Sequence, residues 1–110
     1  MSLPPQLQDK IATLQRLQQN LETLMLQRQQ LEIELRSTES ALSALEDYPK
    51  ESPVFRIVGR IMVKVDVEKI KEELGDRREV LKLRINSISK QESKIREKIE
   101  AIQNEIRGKA

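Results

Sequence analysis

Val54–Val65 reads VFRIVGRIMVKV and lies between two stretches, residues 6–46 and 67–107, that repeat leucine or isoleucine every three or four positions. The segments VFRIV and IMVKV flank Gly59 and Arg60, which suit a two-residue turn with glycine at its first central position. This predicts a β-hairpin set between two long helices. Neither part is stable alone, because a lone two-stranded hairpin is marginal in water and two helices side by side expose most of their apolar surface. The chain calls for partners.

The turn dictates the pairing. Val58 then faces Ile61, Arg56 faces Val63 and Val54 faces Val65 on one side of the ribbon, while Ile57 meets Met62 and Phe55 meets Lys64 on the other. A solvated hairpin alternates apolar and polar residues, and neither side of this one is polar throughout. Both outer strand edges also carry backbone groups that invite pairing with another chain. Closing several hairpins into a barrel satisfies faces and edges together. The expected assembly surface is therefore Val54, Phe55, Ile57, Val58, Gly59, Ile61, Met62, Val63 and Val65. The competing arrangement, a hairpin folded down as a cap over its own helices, has few apolar residues at the helix bases to use.

Before the hairpin, Leu14, Leu17, Leu21, Leu24, Arg28, Leu31, Leu35, Thr38, Leu42 and Leu45 follow one another in alternating steps of three and four, a heptad seam. Leu7 continues one heptad position toward the N-terminus, but Lys10 holds the other and Ile11 lies one place away, so the seam frays or rotates there. Prolines near residue 5 fit a first helical turn. The segment Asp47–Pro53, DYPKESP, ends the pattern. After the hairpin, Asp66 is placed to cap a second helix, with a seam of Val67, Leu74, Arg78, Leu81, Ile85, Ile88, Glu92, Ile95, Ile99, Ile102 and Ile106. Its phase persists across Gly75, which favours a continuous helix, straight or kinked, over a break followed by a fresh capping box of Asp76 and Glu79.

The expected fold is mainly α: helix 5–46, hairpin 54–65 and helix 67–107 in one unit spanning 1–110. The hairpin reverses the chain, so the helices form a long antiparallel two-helix coiled coil, each about 60 Å at 1.5 Å per residue, whose two termini return together. Arg28 and Glu92 interrupt their seams at similar distances from the turn. They are expected to pair across the coil and set its register, the alternative being that both side chains snorkel to solvent.

Composition narrows the function. Charged residues make up 35% of the 110 residues and aromatics 2%, with Phe55 and Tyr48 the sole examples, which suits a coiled coil better than a globular core. Residues 6–46 carry four basic and six acidic side chains and residues 67–107 eleven and nine, so neither helix is a phosphate-tracking surface. With no cysteine or histidine, disulfides, thiolate nucleophiles, imidazole bases and the usual zinc sites are excluded. No nucleophile–base pair or phosphate-binding glycine loop is present, so no enzyme and no cofactor is expected. Without an apolar run long enough for a membrane span, and with an opening MSLPPQLQDK unlike a signal peptide, the expected setting is cytoplasmic.

The stretch Val54–Asp66, VFRIVGRIMVKVD, with its V-G step and its V-K lead into the second helix, resembles the β-class subunits of prefoldin of the archaeal type. Glu79–Glu100, EVLKLRINSISKQESKIREKIE, is similar to that family's second helix, and the order of elements matches over nearly the whole chain. Gly75 and the proline-rich opening depart from the pattern. The resemblance implies a hexamer of two α and four β subunits whose hairpins join in a double β-barrel hub. It further implies coiled-coil ends that hold unfolded proteins and deliver them to a group II chaperonin without nucleotide hydrolysis. Carried onto this chain, the hub is Val54–Val65, and the client-contacting tips take Leu7, Ile11, Leu14, Ile99, Ile102 and Ile106. Ordinary seam packing is the competing role for Leu14, Ile99 and Ile102. Two other functions stay open: a structural scaffold or spacer that oligomerises through its hairpin and binds one folded partner, and a nucleic-acid-binding coiled coil, which would bind with steep salt dependence.

Overall fold

The computed structural model describes residues 3–108. Its elements run α1 (Pro5–Glu46), β1 (Val54–Val58), β2 (Ile61–Val65) and α2 (Val67–Gly108). This is the helix, hairpin, helix order that the periodicity predicts, and Gly75 lies inside α2 without breaking it. Chain contacts define two compact units, one of Leu31–Arg84 and one made by the segments on either side of it. No helix among the described residues is long and apolar enough to cross a membrane.

Each helix end has an identifiable local cause. At the start of α1 the Gln8 amide donates to the Pro4 carbonyl at 3.0 Å, and its side-chain amide reaches the Leu3 carbonyl at 2.8 Å. Pro5 opens the helix at a position where no amide is needed. At the other end the last turn tightens, with the Tyr48 amide on the Leu45 carbonyl at 3.4 Å. The connecting segment is held by its own bonds: Ser52 N–H to the Pro49 carbonyl at 3.1 Å, and the Tyr48 hydroxyl to the Pro53 carbonyl at 2.9 Å. Asp66 caps α2 as expected, its Oδ1 accepting from the Glu68 amide at 2.9 Å.

In the Leu31–Arg84 unit the seam centres on Leu81, fully buried, with Ile70 and Thr38 also buried. The Thr38 hydroxyl donates to the Glu34 carbonyl one turn back at 2.9 Å, so the polar side chain enters the seam with its donor satisfied. Ile70 is a core residue that the heptad seam omits. It sits one turn into α2, where it lines the groove between the helix bases and the hairpin. Arg78, a seam position by phase, is half-buried and places Nε 3.4 Å from the Glu79 carboxylate. That Nε is buried and makes no hydrogen bond among the described residues, so the seam carries an unsatisfied donor at this level.

In the other unit Leu17 is buried, and so is Glu92, at 1% exposure. Arg28 Nε donates to Glu92 Oε2 at 2.5 Å, and Arg28 Nη2 to Oε1 at 3.2 Å, a two-point pairing. Arg96 Nη2 stands 3.8 Å from the same carboxylate and donates to Met25 Sδ at 3.7 Å. The expected pair therefore forms, and the snorkelling alternative does not.

Candidate functional site

Two surfaces carry the chemistry, one in each unit. The first is the hairpin. Its register is Val54 with Val65, Phe55 with Lys64, Arg56 with Val63, Ile57 with Met62 and Val58 with Ile61. Gly59 has φ of 62°, while Arg60 keeps a negative φ, as a two-residue turn with glycine first requires. Pairing and turn both agree with the sequence reading.

The sheet has two strands only, so each keeps an outer edge. Val54 and Val65, where the ribbon meets the helices, are half-buried, whereas Phe55, Ile57, Val58, Gly59, Ile61, Met62 and Val63 are exposed. Ile57 at 73% and Met62 at 67% form a directly opposed apolar pair open to solvent. An apolar cluster of this kind marks an interaction surface rather than scattered surface residues.

The hairpin is nevertheless anchored at its base. Arg56 on β1 pairs with Glu73 on α2. Beneath Phe55 and Met62 lies a groove of about 520 Å³, lined also by Leu45, Tyr48, Ile70 and Leu74. The hairpin thus leans on its own helices at the base without burying the greater part of either face. Tyr48, the only tyrosine, and Ile70 belong to this arrangement and were not among the expected site residues. Tyr48 had a legible signal, a lone aromatic beside a proline-flanked connection.

A second charged contact lies in the same unit. Arg77 Nε donates to Glu34 Oε2 at 2.5 Å. That hydrogen bond holds the Glu34 carboxyl below its ordinary range; partial desolvation opposes it, and the charges of Arg77 and Arg84 add to it. The same bond raises Arg77. A depressed carboxylate stabilises the fold above its unfolded pKa and loses that contribution as pH falls through the lowered folded value. Glu34→Gln should therefore reduce the melting temperature slightly at neutral pH, the effect being small because the pair is solvent-accessible. The difference from wild type should fade below about pH 4, as followed by circular dichroism melts across pH; a difference that persists unchanged in acid would assign the effect to packing.

The second surface is formed by the beginning of α1 and the end of α2. Lys10 Nζ lies 3.4 Å from Glu105 Oε2, which sets these two segments side by side and antiparallel. Leu7, Ile11 and Leu14 on α1 and Ile99, Ile102 and Ile106 on α2 are all half-buried. A two-helix seam has no third element to cover its flanks, so each of these side chains keeps part of its surface in solvent. Leu3, beside them in sequence, is exposed.

The sequence profile described as prefoldin subunit matches residues 8–110. The chain is 41% identical over 104 residues to a prefoldin subunit beta of Archaeoglobus fulgidus, covering 94% of this chain and 90% of that protein. It is 36% identical to one from Sulfurisphaera tokodaii, covering 94% and 83%. The crystal structure of the prefoldin beta subunit from Thermococcus strain KS-1 superposes with a TM-score of 0.88 at 32% identity, covering 97% of this chain and 94% of that one.

Proposed function

From the chain's membership of the prefoldin subunit family, which supports a chaperone role, we propose that it acts as the β-type subunit of an ATP-independent co-chaperone in the cytoplasm. Its hairpin joins those of other subunits, two α and four β in all, in a closed β-barrel hub. The helix ends hold unfolded proteins and pass them to a group II chaperonin.

The observation that carries this reading is the hairpin, whose apolar faces are exposed and whose two edges have no ladder partner among the described residues. Several hairpins in a closed barrel would cover both at once. Client capture rests on Leu7, Ile11, Leu14, Ile99, Ile102 and Ile106, which keep solvent-facing surface in a seam that two helices cannot close. Each such side chain contributes about 1.5–3 kcal/mol when fully buried against a client. Arms from separate subunits add by effective concentration, so a non-native chain is held without any single tight contact. Charged neighbours such as Lys10 and Glu105 keep the empty ends soluble.

Alanine at Leu7, Ile11 and Ile106 together is expected to reduce suppression of aggregation at least tenfold in the subunit concentration required, with assembly mass and helix content unchanged. The measurement is light scattering of several unrelated denatured proteins in the presence of the assembled complex. Unchanged suppression by an intact assembly would remove the client role from these residues. Suppression limited to one folded partner would favour the scaffold reading.

A further inference from the structure

The hairpin carries a charge asymmetry that the hub reading does not use. Between Val54 and Val65 stand Arg56, Arg60 and Lys64 and no acidic residue, while Asp47, Glu51, Asp66, Glu68, Glu72 and Glu73 lie just outside. Among the described residues, only one of these contributes an ion pair to the ribbon: Glu73 reaches Arg56. Arg60 and Lys64 have no ion pair among the described residues and are exposed. They therefore carry uncompensated charge onto a sheet whose edges are open.

We propose that the hairpin selects its ladder partner by charge, accepting a β-hairpin of another chain that bears carboxylates in preference to a second copy of itself. The proposal rests on the hub reading and names the partner chemistry of that same surface. Three arrangements of identical hairpins make the point. Antiparallel pairing of β1 with its own copy in full overlap centres on Arg56 and sets it opposite Arg56 of the second copy, and like charges directly opposed are unfavourable. The same pairing of β2 centres on Val63, setting each Lys64 opposite Met62 and the two ammonium groups on one face a diagonal apart. A ring that repeats β1 against β2 avoids opposed charges but gathers every Arg60 on one rim. Neighbouring hairpins are about 10 Å apart at two strand widths, comparable with the Debye length of about 8 Å at physiological salt. Exposed arginine and lysine on strand edges also deter uncontrolled pairing. A hairpin with carboxylates answers Lys64 where β2 is the pairing edge and Arg60 where the turns share a rim, and gains the apolar contacts of Ile57 and Met62 as well.

The test uses this full-length chain as its own probe. A variant with Arg60→Glu and Lys64→Glu presents an acidic hairpin on the same scaffold, and helix content by circular dichroism verifies its fold. Mixed with wild type at low salt, the two are expected to associate at least tenfold more tightly than either alone, as read by sedimentation velocity with one chain labelled. The gain should shrink severalfold at high salt. The conservative variant, Arg60→Lys with Lys64→Arg, is expected to behave as wild type. A mixture no tighter than the separate chains, while either chain self-associates in a manner abolished by Ile57→Asp, would overturn charge selection and leave the hub standing. Association that survives Ile57→Asp in both chains would overturn the hub reading itself.

Discussion

Arg28→Leu is expected to destabilise the chain by about 3 kcal/mol, near the lower end of what breaking a buried ion pair costs. Glu92 would remain, 1% exposed, with its principal partner gone. The loss is held to that end of the range because Arg28 is itself partly solvated, with 24% of its side-chain surface exposed, and because Arg96 lies 3.8 Å from the carboxylate. The double variant Arg28→Leu with Glu92→Leu should recover wild-type stability or exceed it, since a leucine layer avoids the desolvation that two charges incur. Denaturant melts of the four proteins of the cycle provide the coupling, and additive effects of the two single substitutions would reject the pair as an interacting unit. The ionic layer then supplies specificity instead of strength. The chain has no cysteine, so Lys10→Cys with Glu105→Cys reports register through a short bis-maleimide cross-link, whose reach suits side chains whose tips meet. The cross-link should form readily in the wild-type background and less uniformly in the double leucine variant, where an apolar layer tolerates slippage.

Ile57→Asp should abolish assembly through the hairpin while leaving the helices intact. Ile57 is 73% exposed and opposes Met62, so within the chain it contributes little and its replacement has little to disrupt. In a closed hub the same position would be covered. Loss of the apolar burial is worth about 1.5–3 kcal/mol, and burying an unpaired carboxylate adds more. A total of at least about 3 kcal/mol per interface weakens it more than a hundredfold. Native mass spectrometry of the chain mixed with an α-type prefoldin subunit measures this directly. Ile33→Asp serves as the comparison, since Ile33 is an exposed apolar residue on α1 and its substitution should leave the assembly mass unchanged. A full-size assembly with Ile57→Asp would remove the hairpin from the hub.

Much of this was legible because short-range geometry leaves few alternatives. A two-residue turn led by Gly59 admits a single pairing of the flanking strands, so all five cross-strand pairs follow from it. Asp66 at the start of an apolar-periodic run has one obvious use, and the Glu68 amide confirms it. The meeting of Arg28 with Glu92 follows from heptad phase counted outward from the turn. Periodicity is silent on what crosses the seam obliquely. Glu34 with Arg77 is a contact between flanking positions, and the phase of a seam does not say which of several flanking charges meet. Ile70 and Tyr48 acquire their roles from how the hairpin leans on the helix bases, which depends on the Arg56–Glu73 contact and on the path of the 47–53 connection.

Local periods, turn chemistry and one pair of charges in phase were enough to specify the elements, their order, the strand register and the ionic layer, because the first three are set by covalent geometry and nearest neighbours and the last by heptad phase counted outward from the turn. The tilt of the hairpin, the groove beneath it and the burial of Ile70 emerged only when the chain was folded. These depend on the balance of many weak contacts between elements distant in sequence, which no single spacing encodes. The same balance left Val54 and Val65 sheltered and Ile57 and Met62 in solvent, which is what turns a hairpin legible in one dimension into a surface for another chain.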